Sequence, residues 1–209
     1  MDRIPKIFVI NLPHRVDRLN SIKKELERMG LLDKMEIVEG VIIGGPECAA
    51  AGITEAHTRC IELARERQYE MVMILEDDCK FLFDKDRIHS EIEKFLNTAP
   101  PDWNGLWFGS FFMMDYEYVC SEKNWGIVHI FNQQTAVLLH NTFYSNLIDT
   151  YRYCRDKYIE TGEVIYQIDA WLPHNKTKIF VLKHKICGQA DNFSDRVFLD
   201  INGGCSTPL

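Results

Sequence analysis

Short apolar runs alternate along the chain with longer stretches whose apolar residues recur every three or four positions, and this alternation predicts the architecture. Ile7-Phe8-Val9-Ile10 reads as a strand buried on both faces, with Asn11 to Arg15 as the turn at its carboxyl end. From Val16 onward Leu19, Ile22, Leu26 and Met29 return at helical spacing until Gly30 stops them. A second strand is predicted from Ile37 to Ile43, broken by Gly44-Gly45-Pro46. Thr54 is the expected N-cap of a helix through Ile61 and Ala64 toward Arg67. Met71-Val72-Met73-Ile74-Leu75 is then an unbroken apolar run that ends in Glu76-Asp77-Asp78. Strand, helix, strand, helix, strand in this order predicts β-α units, hence an α/β fold with a mostly parallel sheet flanked by helices.

The pattern continues less regularly beyond the triplet. Phe81-Leu82-Phe83 is an apolar step, and Ile88, Ile92, Phe95 and Leu96 mark a helix that Pro100-Pro101 ends. Leu106-Trp107-Phe108-Gly109 reads as a strand, and the aromatic, Met-rich tract from Phe111 to Tyr118 as core wall or as one side of a pocket. Ile127 to Ile130 and Thr135 to Leu139 are expected to form an antiparallel pair, and Thr142 to cap a helix reaching about Tyr153. Ile179 to Leu182 is a further strand.

Composition narrows the class. A chain of 209 residues, 46% hydrophobic, can bury one substantial core, so residues 1–202 are expected to form one domain. Residues 203–209 have the composition of a tail or linker, to which further domains would attach. A net charge of -7 argues against a general binder of nucleic acid or membrane surface, which needs a broad basic footprint. The seven cysteines are scattered and never in a C-x-x-C arrangement, which suggests reduced thiols in a cytoplasmic protein. The apolar run near the N-terminus is too short for a signal peptide, and no segment has transmembrane length. Gly44-Gly45-Pro46 has neither dinucleotide-fingerprint spacing nor a P-loop lysine.

The chemistry concentrates at strand ends. In open α/β sheets ligands gather beyond the carboxyl ends of the strands, which is where Glu76, Asp77 and Asp78 fall. If the extended backbone continues, Glu76 and Asp78 face one side and Asp77 the other. Three adjacent carboxylates repel one another, so the cluster should hold a cation or keep a proton. Hard oxygen ligands suit Mg2+ or Mn2+; the plainer alternative is a solvated acidic turn. Asn11, Arg15 and Arg18 border the same crevice, although both arginines can instead pair with Asp17. His57 is placed in the first turn of the second helix, as a ligand or as a structural histidine. Asp169 stands inside the otherwise apolar and aromatic segment from Ile165 to Leu172. A carboxylate there is either a buried cap or ion-pair partner, or a base or sugar-hydroxyl ligand. Gln189 to Asp195 is a dense polar loop.

Several of these segments match a family pattern in order. Ile10-Asn11-Leu12-Pro13-His14-Arg15-Val16-Asp17-Arg18 resembles the opening motif of glycosyltransferase family 25, which includes lipopolysaccharide and collagen galactosyltransferases. Gly52 to His57 is similar to a second motif of that family, with Ile53 and Ala56 where Cys and Ser are usual. Ile74 to Asp78 resembles its metal motif, and Asp169 to Leu172 and Gln189 to Asp195 its two late motifs. The resemblance spans nearly the whole chain. It implies a GT-A fold, a nucleotide-sugar donor, most often a UDP-sugar, and a divalent cation, commonly Mn2+. It further implies that a sugar passes to a hydroxyl of a glycan or glycoprotein acceptor with inversion. Asp78, with Glu76 or Asp77, would hold the metal. Arg15, Arg18, His57 and Gln189 would hold the nucleotide or its diphosphate, Asn11 and Leu12 would border the base, and Asp169, with Asp191 second, would be the catalytic base. The same acids and arginines would also serve a metal-dependent nucleotidyltransferase or phosphohydrolase, or a non-catalytic nucleotide-sugar-binding module.

Overall fold

The computed structural model describes residues 1–45, 48–108, 113–117, 123–131, 134–168 and 178–190. Its first half is built from β1 (Ile7–Asn11), α1 (Val16–Met29), β2 (Met35–Glu39), α2 (Ala49–Glu66) and β3 (Met71–Glu76). The second half adds β4 (Cys79–Phe81), α3 (Lys85–Thr98), β5 (Gly105–Trp107), β6 (Met113–Glu117), β7 (Trp125–Phe131), β8 (Ala136–His140), α4 (Asn141–Thr161), β9 (Ile179–Leu182) and β10 (Cys187–Gln189).

Eight strands form one mixed sheet in the order β2-β1-β3-β8-β5-β9-β7-β6, while β4 and β10 make a separate antiparallel ribbon. β1 lies parallel to β2 and β3, and β5 parallel to β9; β8 and β7 run against their neighbours. Side-chain alternation along buried strands splits the core into two layers. Ile7, Val9, Met71, Met73 and Leu75 pack with Ile22 and Leu26 of α1 and Ile88, Ile92 and Phe95 of α3. Phe8, Val72 and Ile74 pack on the other face with Ile61 and Ala64 of α2 and Phe143, Leu147 and Ile148 of α4. The sheet is therefore covered on both sides, which is why β1 and β3 can be apolar throughout.

Four expectations change in the folded chain. β2 occupies residues 35–39 rather than 37–43, because its partner β1 ends at Asn11, opposite Glu39, and the Gly40 N–H, donating to the Asn11 carbonyl at 2.8 Å, makes the last bond of the ladder. α2 begins at Ala49, so Thr54 lies inside the helix and donates its hydroxyl to the Ala50 carbonyl at 2.8 Å instead of capping. α4 starts at Asn141 without a side-chain cap and continues to Thr161, and the Thr142 hydroxyl donates to the Trp103 carbonyl. The expected antiparallel pair β7-β8 does not form. β8 inserts between β3 and β5, and β7 pairs with β9 and β6. The aromatic tract ending at Tyr118 lies largely outside the described residues.

Candidate active site

The chain leaves β1 outward to β2, then crosses back so that β3 lies on the other side of β1. Strand order thus reverses between β1 and β3, the place where open α/β sheets form a ligand crevice at their carboxyl ends. Ile10 pairs with Glu76 in the parallel register, so the next residues, Asn11 and Asp77, emerge side by side. The Asn11 amide donates to Asp77 Oδ2 at 2.7 Å and to the Arg15 carbonyl at 3.1 Å, joining the turn after β1 to the triplet after β3. Arg18, in the first turns of α1, donates through Nη1 to Asp77 Oδ1 at 2.9 Å and lies 3.7 Å from Asp78 Oδ2. Arg15 holds Asp17 with two bonds, Nε to Oδ1 at 3.0 Å and Nη2 to Oδ2 at 2.9 Å.

The triplet does not alternate as an extended strand would. β3 ends at Glu76 and a turn follows, so Glu76 meets α2 while Asp77 and Asp78 both approach Arg18. Glu76 Oε1 is 3.4 Å from His57 Nε2, and His57 is buried, its ring edge-on to Tyr151. His57 sits two turns inside α2 rather than in its first turn, because the helix begins earlier than its sequence indicates.

Burial gives the two aspartates unusual character. Asp77 is 7% and Asp78 8% exposed. Loss of solvent lifts the Asp77 carboxyl above its ordinary range, against the Asn11 and Arg18 bonds that hold it down. Asp78 is lifted to about 7, first by burial and then by the charge of Glu76, with Arg18 opposing. Both Asp77 oxygens are engaged, whereas Asp78 Oδ1 is buried and has no hydrogen-bond partner among the described residues. No three His, Cys, Asp or Glu side chains among the described residues converge as a metal cluster. A cation here would take one protein carboxylate and complete its shell from substrate oxygens and water, which is an ordinary arrangement for Mg2+ and Mn2+. The orphaned Asp78 oxygen fits that requirement and Asp77, fully bonded, does not.

The late polar segment reaches the same rim. Gln189 pairs with Cys79 in the β4-β10 ribbon, and the Ala190 N–H donates to the Asp78 carbonyl at 2.7 Å. Leu12 packs at the tip of β1 against Gly40, where a Cβ would come within 3.0 Å of its side chain. Asp169 and Asp191 lie outside the described residues. Gln134 was not signalled by the sequence. It is buried, accepts from the Tyr151 hydroxyl and donates to the Ile168 carbonyl at 2.8 Å, so it ties the residue before Asp169 to the sheet. An Asn-Gln-Gln run between two strands carries no pattern that would have marked Gln134 over its neighbours.

No protein-family model matches the chain, and no curated protein matches it in sequence. Among solved structures it is similar to a glycosyltransferase involved in glycosylating the major capsid protein of PBCV-1, at 10% identity and a TM-score of 0.54, covering 91% of this chain and 95% of that one. The fold is thus one that a glycosyltransferase adopts. Weaker likenesses include mannose-1-phosphate geranyltransferase from Thermus thermophilus, at 10% identity and a TM-score of 0.49, covering 86% of this chain and 73% of that one. Another is a Drosophila beta-1,4-galactosyltransferase 7 variant in complex with manganese, UDP-Gal and xylobiose, at 11% identity and a TM-score of 0.38, covering 90% of this chain and 71% of that one. Assignment to glycosyltransferase family 25 rests on the motifs alone. No helix among the described residues is long and apolar enough to cross a membrane.

Proposed function

We propose that this protein is a glycosyltransferase that moves a sugar from a nucleotide-sugar donor, a UDP-sugar by resemblance, to a hydroxyl of a glycan or glycoprotein acceptor. The observation that carries the reading is the buried, half-unpartnered Asp78 carboxylate at the strand-order switch point, beside Arg18 and Asn11, in a fold that a glycosyltransferase also uses.

Asp78 is the residue that would hold a divalent cation, through Oδ1. That cation, Mn2+ or Mg2+, would supply charge neutralisation for the diphosphate released when the sugar departs. The protein's own residues do the positioning. Asn11 and Arg18 clamp Asp77 and so fix the turn that presents Asp78. Glu76, backed by His57, adds negative charge beneath Asp78 and keeps the site attractive to a cation. Leu12, held against Gly40, borders the base of the donor. Arg15, in the turn after β1, and Gln189, paired with Cys79 just past the triplet, would hold the nucleotide through charge-assisted or amide hydrogen bonds. Asp169 remains the first candidate for deprotonating the acceptor hydroxyl, with Asp191 second.

Calorimetric titration tests the assignment. UDP-sugar is expected to bind in the presence of Mn2+, and Asp78→Ala to lose the Mn2+-dependent part of that binding while its circular dichroism stays native. Unchanged titration by the variant would count against it. Release of UDP together with transferred or free sugar, rather than inorganic phosphate or pyrophosphate, separates the transferase from other phosphate chemistry.

A further inference from the structure

The short strand β4 follows Asp78 directly, and two side chains of α1 close its open edge. Along the other edge it meets β10. There the Asp78 carbonyl accepts from the Ala190 N–H at 2.7 Å, and the Leu82 N–H donates to the Ile186 carbonyl at 2.9 Å. Backbone groups along an antiparallel strand point to alternate edges, so Phe81, next to Leu82, turns its N–H and C=O away from β10. No strand among the described residues lies on that side. Glu25 and Arg28 take the place of one. Glu25 Oε1 accepts from the Phe81 N–H at 2.6 Å, and Arg28 Nη2 donates to the Phe81 carbonyl at 2.8 Å. Arg28 Nη1 donates to the Phe83 carbonyl at 2.9 Å, and its Nε donates to Glu25 Oε2 at 3.1 Å, which locks the pair.

The same helix grips the start of this stretch. Arg18 donates to Asp77 and lies near Asp78, and Glu25 and Arg28 follow it about 10 and 15 Å further along α1. Residues 77–83 are thus fastened to one helix at both ends, with Asp78 inside the span. The side chains of Cys79 and Phe81 are buried beneath it, in the layer that also holds Ile22 and Leu26 of α1. A displacement of β4 along α1 must therefore be taken up by the turn that presents Asp78. Glu25 is the member that water replaces least, since its side chain is 14% exposed against 43% for Arg28. Without it the part-buried Phe81 N–H loses its acceptor.

We propose that Glu25 and Arg28 are positioning residues for the cation site: by closing the open edge of β4 they fix where Asp78 Oδ1 stands in the crevice, and so set its affinity for a divalent cation without touching it. The proposal rests on the reading of Asp78 as the carboxylate that holds the cation. It assigns the effect to geometry, through the Phe81 backbone, and not to the charge of Glu25.

The test is calorimetric titration of the full chain with UDP, with and without MnCl2. Wild type is expected to bind UDP more tightly with Mn2+. Glu25→Ala and Arg28→Met should each reduce that gain by about tenfold or more, the usual effect of removing a group that orients a metal ligand. Affinity for UDP without metal should stay unchanged, and Glu25→Ala should speed hydrogen exchange at the Phe81 amide. Glu25→Gln keeps an oxygen for the Phe81 N–H and removes the charge, so it should restore most of the gain. A merely structural role would lower the urea midpoints of Glu25→Ala and Arg28→Met and leave the Mn2+-dependent gain at the wild-type level; that result overturns the proposal, as does a Glu25→Gln variant no better than Glu25→Ala. Asp78→Ala separates the two readings. Loss of the gain in Asp78→Ala but not in the α1 variants overturns this proposal alone, whereas a gain that survives Asp78→Ala, or a wild type without one, overturns the cation reading and this proposal with it.

Discussion

Asp78 bears most of the electrostatic strain in the crevice, and its neighbours explain why. Arg18 lies between the two aspartates but is 2.9 Å from Asp77 and 3.7 Å from Asp78, so its charge is spent mainly on the first. Burial and the adjacent Glu76 then lift the Asp78 carboxyl to about 7, from an ordinary value of 3.8. The folded state therefore holds this proton more tightly than the unfolded chain does. Below about pH 4 both states are protonated and Asp78 costs nothing; between about pH 4 and 7 the unfolded chain releases the proton, so stability falls as pH rises. Above about pH 7 the cost is constant. Asp78→Asn removes this dependence, so in metal-free buffer the urea midpoints of wild type and variant should separate across that interval. The variant should be more stable at pH 8 by about 1 kcal/mol or more. Parallel midpoints at every pH would show that the carboxylate is not strained.

At the scale of elements, two helix ends solve one problem with different residues. α1 ends at Gly30, with φ 67°, whose N–H donates to Glu27 while the Leu31 N–H donates to Leu26. α2 ends with the same pair of bonds, Gln68 N–H to the Arg65 carbonyl and Tyr69 N–H to the Ala64 carbonyl, but the left-handed residue is Gln68, with φ 56°. A side chain in that conformation is unfavourable where glycine is free. Gln68→Gly is therefore expected to stabilise the protein by about 0.5–1 kcal/mol, read as a raised denaturation midpoint with unchanged slope. Gly52 presents the opposite case. A Cβ there would come 2.1 Å from the Val41 carbonyl oxygen, so the loop after β2 rests directly on α2. Alanine is the better helix former by about 1 kcal/mol, yet Gly52→Ala should destabilise by about 1–3 kcal/mol because a backbone carbonyl must move. A thermal melt with no loss of stability would show that the loop yields freely.

On the scale of the whole molecule, β8 joins the two halves. It runs antiparallel between β3 and β5, linking the β2-β1-β3 side that carries the crevice to the β5-β9-β7-β6 side. Leu138 sits at the middle of that seam, fully buried, paired with Met73 on one side and Leu106 on the other. Its layer holds both residues together with Phe95, Trp125 and Phe180, whose rings meet edge-on or tilted. Leu138→Ala should cost about 2–5 kcal/mol, the usual range for a large-to-small change in a tight core. Chemical denaturation followed both by tryptophan fluorescence and by circular dichroism measures that loss. A change below about 1 kcal/mol would mean that the two halves do not depend on this seam.

Most of the elements were legible in the residues, because strand and helix each impose a short period that apolar positions must follow. β1, α1, β3, α3 and β9 fall within a few residues of where that period places them, and the acids fall at a strand end as expected. Partnership was not legible. The residues of β7 and β8 were read as strands, but period two reports which faces are buried and not which strand lies alongside, so their supposed pairing was overturned by the sheet. The start of α2 was missed because Ala49, Ala50 and Ala51 give no cap signal, and that displaced His57 by two turns. The clasp of Asn11, Arg18 and Asp77 needs β1 and β3 in one parallel register, which residues 66 and 59 positions apart cannot announce to each other locally. The sequence by itself determined the elements and the kind of chemistry at the strand ends, since both depend on neighbours along the chain. Tertiary structure alone decided which strands pair and which carboxylate is left with a bare oxygen, because burial is shared out across the whole sheet.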